Sequence, residues 1–234
     1  MPLTVTVLEV PARFGVIESQ LAWIERRLGE GKAGEVTVLP EACLTGYVSP
    51  DGNFDLAARA EPLEGPQLDH LERLASRHDT TLIGPVIERD GPECFNTAAV
   101  VTPAGSVLAT YRKRHPWMPE TWASPSDNPL PHFTLGDLRC SLAICFDVHF
   151  LAEESHDVLE AIDVLFFQSA WVDDEGDSRP GHLIRLAREF GITIVNANWG
   201  PGQPRVAGQG GSMIVRPDGS IHRPFAARFD AVID

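Results

Sequence analysis

Leu142-Ala143-Ile144-Cys145-Phe146-Asp147-Val148-His149-Phe150 reads as an apolar strand that ends on a cysteine and turns polar at once. Beyond it, Phe150, Leu151, Val158 and Leu159 recur with helical spacing around Glu153, Glu154 and Asp157, which predicts one helix from His149 to Leu159. A cysteine at such a strand-to-helix corner is expected to face solvent. The free N–H groups of a helix start favour an anion, so the corner is also expected to lower the thiol pKa and to receive an oxyanion. Taken alone, a cysteine is more often a small buried hydrophobe. Its company in the chain decides between the two.

With 234 residues, 43% of them hydrophobic, the chain can bury a large core, and one α/β domain over residues 1–234 is expected. A net charge of -14 repels phosphate backbones and anionic lipid, which excludes nucleic acid and membrane surfaces as natural partners. Cys43, Cys94, Cys140 and Cys145 make no disulfide framework and contain no C-x-x-C pair, as expected of reduced thiols in the cytoplasm. Met1-Pro2-Leu3-Thr4-Val5 is not a signal segment, and no apolar run approaches bilayer length, so a soluble, unprocessed chain is expected.

Working outward from the corner, strands are expected at Leu3 to Val10, Val36 to Leu39, Thr80 to Ile87, Val164 to Phe167 and Ile192 to Ala197. Helices are expected over Ile17 to Leu28, Gln67 to His78 and His182 to Phe190. Cys94 to Val101 and Ser106 to Tyr111 form a hairpin about Thr102-Pro103-Ala104-Gly105, and Ser212 to Arg216 with Ser220 to Pro224 form another about Pro217-Asp218-Gly219. Five prolines between His115 and Pro131 rule out a regular element and predict a long ordered loop. Strands alternating with helices, with hairpins inserted, give layered α/β with mixed sheets.

Three groups each follow an apolar strand: Glu41, Lys113 and Cys145. Neighbouring strand ends commonly share one pocket, and a base, a cation and a thiol are a complete set for acyl transfer. Cys145 can attack a carbonyl or nitrile carbon, Glu41 can move the proton to a leaving amine, and Lys113 can stabilise the oxyanion. Each has a plainer reading by itself: a solvated acid, and an exposed basic turn in Arg112-Lys113-Arg114-His115.

Leu39-Pro40-Glu41-Ala42-Cys43-Leu44-Thr45-Gly46-Tyr47, Phe95-Asn96-Thr97-Ala98-Ala99-Val100 running on to Tyr111-Arg112-Lys113, Ile144-Cys145-Phe146-Asp147 and Asn198-Trp199-Gly200 together resemble the nitrilase, or carbon–nitrogen hydrolase, superfamily over almost the whole chain. The resemblance implies an α/β four-layer α-β-β-α sandwich with two mixed β-sheets, Glu41, Lys113 and Cys145 as catalytic residues, and no cofactor. It adds a second glutamate after the lysine, a role that falls to Glu120, seven residues beyond Lys113. It also implies a small-molecule amide substrate and a homodimer or higher homo-oligomer. Two departures stand out. His149-Phe150-Leu151-Ala152-Glu153 replaces an arginine followed by Phe-Pro-Glu, and Arg188-Glu189-Phe190-Gly191 lacks the usual asparagine.

Phe146, Trp117, His149 and Trp171 are the candidate substrate-binding residues; Trp199 is a further aromatic candidate, and core packing is the alternative for the aromatics. His149 and His156 lie seven apart without a third ligand at a metal spacing, so no metal site is expected, and Asp173-Asp174-Glu175-Gly176-Asp177 reads as a solvated turn. A thiol hydrolase of small linear amides or N-carbamoyl compounds is the leading reading. A nitrilase, an amide-forming acyltransferase and a non-catalytic binding protein on the same fold are the alternatives.

Overall fold

The computed structural model describes residues 2–234. In chain order the elements are β1 (Leu3–Leu8), α1 (Ile17–Leu28), β2 (Val36–Val38), α2 (Pro66–His78), β3 (Thr81–Asp90), β4 (Glu93–Val101), β5 (Val107–Arg112), β6 (Phe133–Leu135), β7 (Leu138–Ile144), α3 (Leu151–Glu154), α4 (His156–Ala161), β8 (Val164–Ser169), α5 (Arg179–Phe190), β9 (Thr193–Asn198), β10 (Met213–Val215), β11 (Ile221–His222) and β12 (Arg228–Ile233). They build two six-stranded sheets, β12-β1-β2-β3-β4-β5 and β11-β10-β9-β8-β7-β6. Each has a parallel centre, β1-β2-β3 in one and β7-β8-β9 in the other, with antiparallel strands on both flanks.

The parallel strands carry almost unbroken apolar runs because both of their faces are covered. Val5, Val7, Val36, Val38 and Ile83 of one sheet share a buried cluster with Leu142, Ile144, Phe167 and Val195 of the other, so the sheets are packed face to face. Trp23, Ile24 and Leu28 of α1 with Leu68, Leu71 and Leu74 of α2 cover the outer side of the first sheet, against Leu8, Leu39, Leu82 and Val86. Leu183, Leu186 and Ala187 of α5 pack on the second sheet. The result is the expected four-layer α-β-β-α sandwich. Each fully buried leucine in these layers stabilises the fold by about 2 kcal/mol through burial alone. Among the described residues, no helix is long and apolar enough to cross a membrane.

Most elements fall within one to three residues of the sequence expectation. The helix expected from His149 to Leu159 is instead a 3₁₀ turn at Cys145–His149 followed by the short α3 and α4. Phe150 (φ -115°, ψ -16°) joins the 3₁₀ turn to α3, and Ser155 (φ -131°, ψ 24°) leaves helical geometry between α3 and α4. The cause is local: both Asp147 carboxylate oxygens are bound outside any helix, accepting the Ile144 N–H at 3.1 Å, the His115 N–H at 2.9 Å and the Tyr111 hydroxyl at 2.8 Å. The strand expected at Ser220 to Pro224 contracts to Ile221–His222, and β6 and β12 are edge strands that the sequence reading did not assign.

The turn that presents Glu41 ends at Gly46, where φ is +79° and an added β-carbon would run into the Arg13 carbonyl oxygen and the backbone of Phe14. Gly46→Ala is therefore expected to destabilise the fold by about 1–3 kcal/mol, read as a lowered midpoint in urea. An unchanged midpoint would mean the turn relaxes freely.

Candidate active site

The parallel strands of both sheets end at one side of the sandwich, and that side collects the chemistry. Glu41 follows β2, Lys113 follows β5, Cys145 follows β7 and Ala170 follows β8. Gln168 of β8 donates from Nε2 to the Leu39 carbonyl at 2.7 Å, tying the ends of the two sheets together.

Lys113, which by itself reads as part of an exposed basic turn, is only 1% exposed. Its Nζ donates to Glu41 Oε1 at 2.7 Å and to Glu120 Oε2 at 2.6 Å. Asn96 completes the frame, its Nδ2 donating to Glu41 Oε1 at 2.8 Å and Glu120 Oε1 at 2.9 Å. Glu41 Oε2 accepts the Ala170 N–H at 2.7 Å, and Glu120 Oε2 also accepts the Trp117 N–H at 2.6 Å. An ammonium has three donors and a carboxylate about four acceptor sites. Two protons of Lys113 are thus used and one is left, while Glu41 receives three hydrogen bonds and keeps one acceptor site.

Cys145 sits in the same enclosure, 6% exposed, with φ +43°. A β-carbon is disfavoured in that backbone region by about 1–2 kcal/mol, so the surrounding contacts hold the corner in a strained shape that aims the side chain. The expectations of a solvent-facing cysteine and a lowered thiol pKa are both overturned. Burial pushes the Cys145 thiol well above the ordinary range, and the Glu41 carboxylate raises it further against the opposing pull of Lys113. These influences favour the neutral thiol at rest. Burial alone would push the Lys113 ammonium down, but Glu120 and Glu41 outweigh it and hold that pKa above the usual lysine value. Burial raises the Glu120 carboxyl, with Lys113 opposing.

A neutral thiol makes a specific pH signature. Modification of Cys145 by methyl methanethiosulfonate is expected to accelerate about tenfold per pH unit from pH 6 through pH 9, because the thiolate fraction grows that way below the pKa. A plateau already reached at pH 7 would show a thiolate instead. Cys140 and Cys43 are also raised by burial, and neither lines the cavity that opens onto Cys145, so both are expected to react more slowly still.

The cavity at Cys145 is lined by Tyr47, Trp117, Phe146, His149 and Trp171 among others, and holds about 20 Å³, room for one water-sized group. All four candidate binding residues line it. Trp199 does not: its Nε1 donates to the Trp171 carbonyl at 2.8 Å and its ring packs edge-on against Tyr47, one layer behind. The sequence reading assigned no role to Asn96, Tyr47 or Ala170. The signal for Asn96 was present, a polar amide inside the apolar run Cys94 to Val101, since a buried amide requires partners. His149 also gains the partners that its spacing to His156 did not offer. Asp177 and His182 lie beside it, so Asp177 is more than a solvated turn residue, and the absence of a third ligand no longer holds.

The chain is similar to several known proteins. Residues 17–227 match the family model described as carbon-nitrogen hydrolase. An (R)-stereoselective amidase from Pseudomonas sp. is 30% identical over 190 residues, spanning 80% of this chain and 67% of that protein. The 2-oxoglutaramate amidase of Bacillus subtilis is 26% identical over 82% of this chain and 74% of its own. Among solved structures, a Glu-to-Gln variant of the amidase from Nesterenkonia sp. AN1, with acrylamide added to its active-site cysteine, superposes with a TM-score of 0.81 at 26% identity, covering 99% of this chain and 92% of that one.

Proposed function

The chain belongs to the carbon–nitrogen hydrolase family, and from that premise we propose that it hydrolyses small linear amides, or N-carbamoyl compounds, through a Cys145 thioester. The observation that carries the reading is the buried Glu41–Lys113–Glu120 frame beside the buried Cys145.

The steps follow from the donor and acceptor sites left open. Glu41 takes the thiol proton at its free acceptor site as Sγ attacks the amide carbon, so the costly buried thiolate never has to stand alone. Negative charge moves to the carbonyl oxygen, where the third Lys113 proton and a backbone N–H near Phe146 stabilise it. Glu41 passes its proton to the nitrogen, the C–N bond breaks, and ammonia or an amine leaves an acyl-thioester. Water then attacks that carbonyl, again giving a proton to Glu41, and the C–S bond breaks to return carboxylic acid and thiol. Glu120 touches neither reacting atom in this scheme; together with Asn96 it holds Lys113 and Glu41 in register.

The cavity favours the smallest acyl groups. The names of the relatives, which are amidases, support an amide over a nitrile. Ammonia release should be measured across formamide, acetamide, propionamide, a benzamide, a ureido acid and the matching nitriles. Turnover is expected to be greatest for the short amides and to fall as the acyl group grows. Release from nitriles alone, or from none of the panel, would overturn the reading. A reducing cytoplasmic setting is supported by four free cysteines. A homodimer or higher homo-oligomer is part of the same proposal, and sedimentation equilibrium tests it.

A further inference from the structure

At the Cys145 cavity, which His149 and Asp177 line, the fold joins those two to a neighbouring His182, and the mechanism uses none of the three. His149 closes the 3₁₀ turn after the cysteine, Asp177 lies in the segment before α5, and His182 stands in the first turn of α5. Asp177 Oδ1 is hydrogen-bonded to His182 Nε2 at 2.6 Å, while its Oδ2 lies 3.5 Å from His149 Nε2 without a hydrogen bond. Each residue can offer one ligand atom with all three within 4.8 Å of one another. We propose that His149, Asp177 and His182 form a binding site for a divalent transition metal of the zinc class, and that the bound ion narrows the entrance to the Cys145 cavity.

Zinc binds imidazole nitrogen and carboxylate oxygen at about 2.0–2.2 Å, which sets tetrahedral ligands about 3.3 Å apart. The 2.6 Å contact has to open and the widest spacing to close by about 1–1.5 Å, movements within the reach of side-chain rotation. An independent feature points the same way. His149 Nε2 is buried and lacks a hydrogen bond. A buried nitrogen left so is unfavourable, and a metal would satisfy it. The ring is held for that purpose, with Trp171 stacked at 6.1 Å and Phe146 tilted at 4.8 Å between centroids.

Two imidazoles and one carboxylate suit zinc, cobalt or nickel rather than magnesium or calcium, and three protein ligands leave a fourth position for water. Asp177 also borders an adjoining cleft of about 680 Å³ lined by Asp173, Asp174 and Glu9, an acidic approach for a cation that Arg179 and Arg223 partly offset. The second group of this kind, His156, Asp157 and Glu160, is exposed throughout and has none of this support.

The test is zinc binding to untagged protein by competition with a chromophoric chelator. It should be run in a Cys145→Ala background so that the thiol cannot serve as the ligand. One zinc per chain is expected, with affinity reduced at least about tenfold by His182→Ala and by Asp177→Asn, and magnesium failing to compete. His182→Gln, checked for native circular dichroism, guards against a folding defect in the alanine variant. In the parent, zinc is expected to slow amide turnover, and His182→Gln to relieve that inhibition. Unchanged affinity in the folded His182 variants, loss of binding on Cys145→Ala alone, or no binding at all would overturn the site. None of these binding results depends on which amide the enzyme takes.

Discussion

Cys145→Ala is expected to reduce ammonia release on the order of 10⁴-fold or more, because it removes the sulfur that the proposed mechanism uses to form the acyl intermediate. Stability should change by no more than about 1 kcal/mol. The reasons are local. Alanine keeps the β-carbon, so the φ of +43° is as strained as before, and the lost sulfur is a small part of a cavity that already admits water. The Asp147 contacts to Ile144, His115 and Tyr111 hold the turn without help from the thiol. Steady-state ammonia release and urea unfolding measured on one preparation would separate the two effects. Residual turnover within about tenfold of the parent would mean that another group attacks the substrate.

Lys113→Met carries the largest expected cost in stability, about 3–5 kcal/mol at neutral pH, together with loss of turnover. Removing the ammonium leaves Glu41 and Glu120, both bonded to Asn96, as two buried carboxylates without a cation. Burial and Glu41 already raise the Glu120 carboxyl, and Lys113 is the main opposing influence. Without it, the folded-state pKa climbs further above its unfolded value of about 4.3. Between those two values the native state binds more protons than the unfolded chain, so stability falls as pH rises through that window. The variant should therefore lie closest to the parent near pH 4–5 and fall away towards neutrality. Lys113→Met combined with Glu120→Gln should recover much of the neutral-pH loss without restoring activity, a non-additivity that identifies the charge pair as the cause. A loss below about 1 kcal/mol for the single variant at pH 7 would show that the buried frame is not ionic.

The elements and the three groups on strand ends were legible in the chain. Runs such as Val36-Thr37-Val38-Leu39 and Val164-Leu165-Phe166-Phe167 read as strands from their shortness and their β-branched and aromatic residues, and α1, α2 and α5 carry their apolar faces at helical spacing. Placing Glu41, Lys113 and Cys145 after such strands was enough to expect them together, since strand ends of a layered sheet converge. Glu120 came from resemblance, because its loop has no periodicity to read. The helix after Cys145 was misread for a reason particular to Asp147, whose carboxylate bonds the Ile144 amide before it and the loop amide of His115, shortening a pattern that looked helical.

What the sequence determined by itself was therefore the layered fold and the identity of its chemical groups. Only the tertiary structure decided their surroundings: a buried thiol instead of an exposed one, a lysine clamped between two glutamates instead of an exposed basic turn, and His149 beside Asp177 and His182 instead of alone. Element formation rests on neighbours a few positions away, whereas a side chain's charge depends on desolvation and on fields from whichever groups the fold brings near. For Lys113, the decisive carboxylates come from 72 residues upstream and from a loop seven residues on, and no local pattern encodes that meeting.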